Sequence, residues 1–440
     1  MAAMMQAQAK ALVIGLGASG VSAQRYLETI GWRVYATDDD SARAPLAGTA
    51  WCSPQDVSAR LAEVELVVVS PGVPLDAPAV IASREHGVEI VGDVELFARV
   101  VTAPVLAVTG TNGKSTVAVL AASMASSAGR RVAAGANLGT PVLELLDPAI
   151  ELYVLELSSF QLELTHSLAP LAAAVLNVSP DHLDRHGSLT AYAAAKARIF
   201  HHARTAIVNR EDPLVRAMVE GRTDIVSFGL DEPAGHHYGL RGPAAEPWLC
   251  RGEERLLAAA EVPLAGQHNL ANVLAAWALA AAAGLPDAAI ARAVRDFRAL
   301  PHRLAFVAER RGVRYLDDSK ATNVNAACAA LAGLTGPLLV IAGGQGKGQD
   351  FTPFAALLAE RARAVVLIGT DAPLIERALA GRVRLACAGT MTEAVGIAAA
   401  LAERGDQVVL APACASFDQF RNYNERGEAF VAAVEALDDD

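Results

Sequence analysis

The chain contains only five cysteines among its 440 residues. They lie far apart and include no CxxC pair. An odd number of scattered cysteines argues against a disulfide framework and against a structural zinc site. A reducing compartment fits this pattern, and we therefore expect the protein to be cytoplasmic.

A basic excess, a long apolar segment and an internal repeat are also missing. Lys and Arg number 37 against 48 Asp and Glu, and the resulting net charge of -11 repels the phosphates of a nucleic acid. The first ten residues hold no apolar stretch of signal-peptide length, and the Ala-rich segment 270–284 predicts a buried helix, since Asn272 interrupts it. We expect no nucleic-acid partner, no membrane association and a monomer.

Hydrophobic side chains make up 53% of the chain, which is enough for two or three domains. Short apolar runs alternate with helical patterns, which predicts an α/β protein with parallel sheets and ligands at the carboxyl ends of the strands. We expect three domains, at 1–102, 103–299 and 300–440, with a small antiparallel segment at 231–263. The runs that predict strands are 11–14, 66–69, 105–108, 152–155, 173–177, 338–341, 364–368 and 407–410.

A glycine-rich turn follows the first predicted strand and opens a helix. Gly15, Gly17 and Gly20 have the spacing of a dinucleotide-binding fingerprint, and Asp38 closes the next strand at a suitable distance. The same backbone geometry suits NAD or a UDP group, and it also occurs in tight turns that bind no ligand. A second turn, Ser70-Pro71-Gly72, is positioned to close over the same ligand.

A second glycine turn, TGTNGKST at 109–116, lies between a strand and a helix and predicts a phosphate-binding loop. Its amides would surround phosphates, Lys114 would neutralise the β and γ oxygens, and a hydroxyl of Ser115 or Thr116 would reach Mg²⁺. Val108 stands where the longest form of this motif has its first glycine. The next strand ends in Glu156, where such folds place a metal-binding acid.

A charged cluster, SPDHLDRH at 179–186, follows another strand. His182 and His186 have helical spacing, but HLDRH lacks the glutamate of a zinc hydrolase motif, and we discard zinc. Lys196 lies among small and apolar residues, and composition alone favours an exposed helix lysine.

Together these motifs resemble the Mur ligases, the ATP-dependent amide-forming enzymes of peptidoglycan precursor synthesis. The resemblance covers essentially the whole chain. It implies a Rossmann-like N-terminal domain that binds UDP, a central P-loop ATPase-like domain, and a C-terminal Rossmann-like α/β domain that binds glutamate and part of ATP. The motifs that carry it are GTNGKST, ELSSFQLE, NVSPDHLDR, GQHNLAN, LPHR, DDSKATN, GGQGK and PACASFD.

Within the family, DDSKATN and ACASFDQF are most similar to the enzymes that join D-glutamate to UDP-N-acetylmuramoyl-L-alanine. That similarity implies an acyl phosphate intermediate, two Mg²⁺ ions and release of ADP and phosphate. It also implies that Lys196 is carbamylated, because an ammonium cannot ligate a metal whereas a carbamate can. His182 has an alternative role as the base that deprotonates the incoming amine.

The resemblance also assigns individual residues. The catalytic residues it implies are Lys114, His182 and Lys196, and the metal ligands are Ser115, Glu156, His182 and Lys196. The ATP-binding residues are Gly110, Thr111, Asn112, Gly113, Lys114, Ser115, Thr116, Asn269, Asn272, Arg303, Asp318 and Lys320. The UDP-substrate residues are Ala18, Ser19, Asp38, Gly72, Asn137 and His182, and the glutamate-binding residues are Thr322, Lys347, Ser416 and Tyr423.

Three positions depart from the family pattern. Asp40 stands where some relatives carry an arginine, Tyr423 occupies a position that is often phenylalanine, and Gln345 replaces the more usual aspartate of GGDGK. Three alternative functions stay open at this point: a folylpolyglutamate-synthase-like ligase, an NAD-dependent oxidoreductase and a non-catalytic ATP-gated binding protein. The glycine turn with Asp38 argues against the first, while the P-loop with Glu156 argues against the second. Retention of Lys114, Glu156, His182 and Lys196 together argues against the third.

Overall fold

Three β-sheets organise the chain, and a computed structural model describes residues 8–40, 43, 45–264 and 266–437 of it. Contacts divide these residues into two units. The first unit comprises the described residues up to Val178, Thr190–Val262 and Ala271–Phe297, and it contains two sheets. The second comprises Ser179–Leu189, the described part of 263–270 and the chain from Arg298 onward, with the third sheet. Residues 1–7, part of the segment behind the signal-peptide expectation, lie outside the described residues.

The first sheet is parallel throughout, in the order β3-β2-β1-β4-β5. Helices cover both faces of this sheet, so β1 is buried from Ala11 to Ile14 and β4 is buried along its whole length. The strands are β1 Lys10–Ile14, β2 Arg33–Thr37, β3 Ala50–Trp51, β4 Leu66–Val69 and β5 Glu89–Val91, and the helices are α1 Ala18–Thr29, α2 Val57–Leu61, α3 Pro78–Glu85 and α4 Asp93–Ala98.

The second sheet has nine strands in the order β14-β13-β12-β11-β10-β9-β6-β8-β7. Its strands are β6 Val105–Thr109, β7 Val132–Ala136, β8 Leu152–Glu156, β9 Ala172–Val175, β10 Ala206–Asn209, β11 Ile225–Phe228, β12 Tyr238–Arg241, β13 Trp248–Arg251 and β14 Glu254–Ala258. The helices in this part of the chain are α5 Lys114–Ser127, α6 Ser159–Glu163, α7 Leu183–His186, α8 Leu189–Ala197, α9 Pro213–Ala217, α10 Gln267–Ala282 and α11 Asp287–Asp296.

Two sequence predictions are confirmed in this region. The strands β12, β13 and β14 pair antiparallel, as expected for the segment 231–263. The Ala-rich segment forms α10, whose residues from Asn272 to Ala280 are buried. Among the described residues, no helix combines the length and the apolar character needed to span a membrane.

The third sheet belongs to the second unit and has the order β15-β16-β20-β17-β18-β19. Only β15 pairs antiparallel within the described sheet, and β20 lies between β16 and β17. The strands are β15 Ala305–Arg310, β16 Val313–Asp317, β17 Leu338–Gly343, β18 Ala362–Ile368, β19 Arg384–Cys387 and β20 Gln407–Leu410, and the helices are α12 Val324–Ala332, α13 Thr352–Arg361, α14 Ala372–Leu379, α15 Met391–Leu401 and α16 Tyr423–Glu435.

The predicted α/β class is confirmed, because each of the eight apolar runs forms a parallel strand. The run 173–177 is shorter than expected, since its strand ends at Val175 and leaves Leu176 and Asn177 in the following loop. The domain limits near 102 and 299 stay predictions.

In the glycine turn after β1, Gly17 and Gly20 differ in the space available for a side chain. Gly15 has φ +90°, and a Cβ added to Gly20 would collide with the carbonyl oxygen of Gly15. The third glycine therefore allows α1 to pack against the turn. In the part of the chain that the structure describes, a Cβ added to Gly17 would meet no atom closer than the Arg43 guanidinium at 4.0 Å. That position has open space.

We predict that Gly20→Ala lowers the free energy of unfolding by about 2 kcal/mol, because the added methyl group overpacks the turn. Gly17→Ala is the matched control and should change it by less than about 0.5 kcal/mol. Chemical denaturation of both variants measures the difference. Equal losses in the two variants would contradict the packing argument.

Candidate active site

The carboxylate of Asp38 holds the glycine turn of the first sheet. Its Oδ2 accepts the backbone N–H of Leu16 at 2.5 Å, and its Oδ1 accepts that of Asp40 at 2.9 Å. From the second turn, the Ser70 hydroxyl donates to the Gly15 carbonyl at 2.7 Å. The structure thus brings the two predicted turns together. Asp38 already has a structural task there, and its contact with a UDP group stays a prediction.

The surroundings of this turn include a cation that the sequence analysis missed. The Arg43 guanidinium lies 3.5 Å from both Asp38 and Asp40. Ala18 and Ser19 are the first residues of α1, and no atom of the described residues lies within 4 Å of a Cβ added to Gly72. Some relatives carry an arginine where this chain has Asp40, and Arg43 lies only three residues later. That short separation was the signal that could have identified Arg43.

The phosphate-binding loop joins β6 to α5. Gly110 and Gly113 have φ +156° and +84°, conformations that favour glycine. The ammonium of Lys114 donates to the carbonyls of Gly110 and Thr111, each at 2.9 Å. Because α5 begins at Lys114, the first amides of this helix face the loop and form an anion site.

Asn177 braces this loop from the end of β9. Its side-chain oxygen accepts the Asn112 N–H at 2.8 Å, and its amide donates to the Asn112 carbonyl at 3.1 Å. Its own carbonyl accepts the Thr111 N–H at 2.9 Å. The sequence analysis quoted Asn177 within a motif and gave it no role, although an asparagine at a strand end was the signal.

Asn272, on α10, lies against the same loop. A Cβ added to Gly113 would collide with the Asn272 side chain. The structure thus brings Asn272 to the phosphate-binding loop, as a nucleotide contact requires. Asn269 lies three residues earlier on the same helix, in the part that groups with the second unit.

Glu156 ends β8 opposite Val108, beside the phosphate-binding loop. The side chain is 1% exposed, and its Oε1 accepts a hydrogen bond from the Asn137 amide. Its Oε2 is buried and has no hydrogen-bond partner among the described residues. A buried carboxylate oxygen of this kind is costly unless a cation binds it. Magnesium, which prefers oxygen ligands and phosphates, fits this position.

The position of Lys196 differs from the exposed helix face that composition alone favours. Its side chain is 1% exposed, so the prediction of an exposed helix lysine is wrong. Its ammonium donates to the Gly110 carbonyl at 2.9 Å and lies 4.4 Å from the Tyr192 ring centroid. The Tyr192 hydroxyl in turn lies 3.3 Å from the Thr111 hydroxyl. Small residues of α8 let this helix approach the phosphate-binding loop, and the lysine stem is buried in that contact.

In the second unit, the loops after β16 carry several of the predicted ATP ligands. Asp318 accepts the Leu304 N–H at 3.2 Å, and burial raises its pKa to about 8, with Arg303 opposing the shift. The Lys320 ammonium lies 3.7 Å from the Tyr423 ring centroid.

His302 and Asp317 form a pair next to these residues, with Nδ1 and Oδ2 2.6 Å apart. The sequence analysis quoted His302 in LPHR and assigned it no role. A Cβ added to Gly427 would collide with the His302 ring, so this pair is also fixed by α16.

Asp181 joins two predicted site residues of the second unit. It accepts hydrogen bonds from the Lys347 ammonium at 2.7 Å and from the His182 N–H at 3.0 Å, and the Asn323 amide lies at 3.3 Å. His182 and Lys347 both have positive φ, +52° and +54°. The sequence analysis missed Asp181, whose signal was its place between the strand-end motif and His182.

The predicted residues therefore fall into two groups. In the first unit the structure brings five predicted residues to the ends of β6 and β8 and to the phosphate-binding loop after β6. They are Lys114, Glu156, Asn137, Asn272 and Lys196. In the second unit, the loops after β16, β17 and β20 carry Thr322, Lys347 and Ser416. His182 groups with the second unit.

Three family profiles match the chain in order. They are described as the MurD-like N-terminal domain of Mur ligases over residues 9–92, the Mur ligase middle domain over 108–280, and the Mur ligase glutamate ligase domain over 302–414.

Curated relatives match over nearly the full length. Proteins named UDP-N-acetylmuramoylalanine–D-glutamate ligase are 49% identical in Nitrosococcus oceani, with 98% of both chains covered, and 48% identical in Methylobacillus flagellatus, with 97% of this chain and 96% of that one. The protein of the same name from Pseudomonas aeruginosa is 46% identical, with 97% and 98% covered.

Solved structures share the fold at low identity. A pseudomurein peptide ligase type C from Methanothermus fervidus has a TM-score of 0.64 at 16% identity, covering 97% of this chain and all of that chain. The UDP-N-acetylmuramate-alanine ligase from Thermotoga maritima has a TM-score of 0.63 at 19% identity, covering 97% and 99%. The chain belongs to the Mur ligase family. It is a three-domain ATP-dependent ligase of peptidoglycan precursor synthesis.

Proposed function

We propose that the chain joins D-glutamate to UDP-N-acetylmuramoyl-L-alanine in the cytoplasm, with conversion of ATP to ADP and phosphate. The relatives that carry this activity in their names are 46–49% identical over nearly the whole chain. The structural observation behind the proposal is the phosphate-binding loop with the buried Glu156 carboxylate beside it.

The chemistry requires activation of a carboxylate. The alanyl carboxylate oxygen attacks the γ-phosphorus of ATP, the bond to ADP breaks, and an acyl phosphate forms. The glutamate nitrogen then attacks the acyl carbon, loses a proton, and phosphate leaves with the former carboxylate oxygen. Lys114, at the start of α5, would stabilise charge on the transferred phosphoryl group.

The residues around Glu156 fit a bound divalent cation, which would neutralise the phosphate oxygens when present. Ser115 and the free Oε2 of Glu156 would hold one Mg²⁺. A carbamylated Lys196 and His182 would hold a second. Lys196 is buried against the phosphate-binding loop, and its ammonium donates to the Gly110 carbonyl. Burial of a lysine is costly, so this position supports a role in the reaction. His182 has the alternative role of accepting the proton of the amine.

Substrates and products are anionic, and the chain has a net charge of -11. Positively charged groups must therefore lie within the binding sites themselves. The UDP group would lie at the first glycine turn, beside Ala18, Ser19, Asp38 and Gly72, and Arg43 would contribute a positive charge. Asn137 would contact the muramoyl end. The other assignments place Asn269, Asn272, Arg303, Asp318 and Lys320 on ATP, and Thr322, Lys347, Ser416 and Tyr423 on glutamate.

We predict that, in the presence of Mg²⁺, the protein releases phosphate from ATP when both UDP-N-acetylmuramoyl-L-alanine and D-glutamate are present. A coupled phosphate assay should compare D-glutamate, L-glutamate and no amino acid. Release with L-glutamate but not with D-glutamate would support the same mechanism with a different amino acid as substrate. No release with any glutamate contradicts the proposal.

We predict that Lys196→Ala loses at least about 99% of the activity, because a metal ligand is removed, and that a short carboxylate such as acetate partly restores it. The acid would supply the oxygens that the carbamate provides. Sodium chloride at the same ionic strength is the control. Restoration by propylamine, with none by acetate, would show that the ammonium form acts.

A further inference from the structure

The three loops proposed to bind glutamate follow neighbouring parallel strands of the second unit. Thr322 follows β16, Lys347 follows β17 and Ser416 follows β20, and β20 pairs with both of the other strands. A pocket for a small amino acid needs these side chains at fixed separations.

Backbone hydrogen bonds fix two of the three loops to each other. The Gly343 N–H donates to the Pro412 carbonyl at 2.9 Å, and Gln345 and Ala415 exchange two hydrogen bonds of 2.9 Å each. A Cβ added to Gly344 would collide with the Ala415 carbonyl, which shows how close the two loops are. The loop that carries Thr322 is not part of this pairing.

Gln349 connects that third loop. Its Oε1 accepts the backbone N–H of Val324 at 2.8 Å, and its Nε2 donates to the Ala413 carbonyl at 2.7 Å. One half-buried side chain therefore links the segment two residues after Thr322 to the segment three residues before Ser416.

Both groups that Gln349 contacts need such a partner. Val324 is the first residue of α12, and the N–H groups of a first helical turn have no acceptor within the helix. Ala413 is 0% exposed and has φ +56°, a conformation that disfavours alanine unless its surroundings hold it. An unpaired buried carbonyl at this residue would favour rearrangement of the chain toward Ser416.

Gln349 also belongs to the turn that presents Lys347. Its N–H donates to the Gly346 carbonyl at 3.2 Å, and the Gly346 N–H donates to Asp371 at 2.7 Å. The turn is thus closed on both sides of Lys347, whose φ is +54°. Displacement of the Gln349 side chain would alter all three loops at once.

We propose that Gln349 is a positioning residue that fixes the separations of Thr322, Lys347 and Ser416 and thereby sets the affinity for glutamate and its discrimination from aspartate. This inference rests on the proposed function for the identity of the amino acid. Gln349 acts through the three loops that its hydrogen bonds connect.

The test compares Gln349→Met, which keeps the length of the side chain and removes both hydrogen bonds, with Gln349→Glu, which keeps only the acceptor. The matched control is Asp350→Ala. Asp350 is exposed, and its carboxylate accepts the Thr352 N–H at 2.9 Å at the start of α13. Its loss therefore weakens the end of the same loop and keeps both hydrogen bonds of the Gln349 side chain.

We expect KM for D-glutamate to rise about tenfold or more in Gln349→Met, with KM for ATP and for the nucleotide sugar within about twofold. The ratio of kcat/KM for D-glutamate to that for D-aspartate should fall, and Gln349→Glu should lie between. Asp350→Ala should leave these constants unchanged even if its Tm falls. An unchanged KM for glutamate, or an equal rise in every KM, would overturn the inference.

Hydrogen exchange provides a readout that does not depend on turnover. Peptides covering 319–326 and 411–417 should exchange faster in Gln349→Met than in the unsubstituted protein and in Asp350→Ala. Unchanged exchange in both peptides overturns the positioning role. If these peptides respond as expected but the unsubstituted protein shows no glutamate-dependent phosphate release, the proposed function fails and the link between the loops stands.

Discussion

The phosphate-binding loop after β6 depends on one pair of hydrogen bonds between Asn177 and Asn112. A loop that wraps phosphates must point its amides inward, and it therefore cannot satisfy its own backbone groups. Two glycines with positive φ provide the shape, and the Asn177 side chain holds it from the loop after the neighbouring strand β9. Glu156, Asn272 and Lys196 are all positioned against this loop, so the candidate site of the first unit is built around it.

In the second unit, local contacts likewise fix the loops that we propose to bind glutamate. Backbone hydrogen bonds join the loops after β17 and β20, where Lys347 and Ala413 have positive φ. Such conformations persist only where the surroundings fix them. Asp181 forms an ion pair with Lys347, and Gln349 links the loops. These contacts hold the Lys347 ammonium in place in a protein whose net charge is -11.

Much of this arrangement could be predicted from the sequence because it depends on local patterns. Continuous apolar runs such as 105–108 form buried parallel strands, and the glycine spacing at 109–116 specifies a loop between strand and helix. The burial of Lys196 could not be predicted, since a lysine among alanines is equally suited to an exposed helix face. Asn177, Asp181 and Gln349 were missed because their partners lie 65, 166 and 25 or 64 residues away, at separations that only the folded sheets define.

The affinity of Asn177→Ala for ATP with Mg²⁺, measured by titration calorimetry, tests the central role of the braced loop most directly. Asn209→Ala is the control, because it removes an amide hydrogen bond to the Leu176 carbonyl beside the same loop. We expect binding at least about tenfold weaker in Asn177→Ala, because two partly buried backbone groups of Asn112 lose their hydrogen bonds to the Asn177 side chain. In the control we expect a change within about twofold. Unchanged affinity in Asn177→Ala would contradict the account.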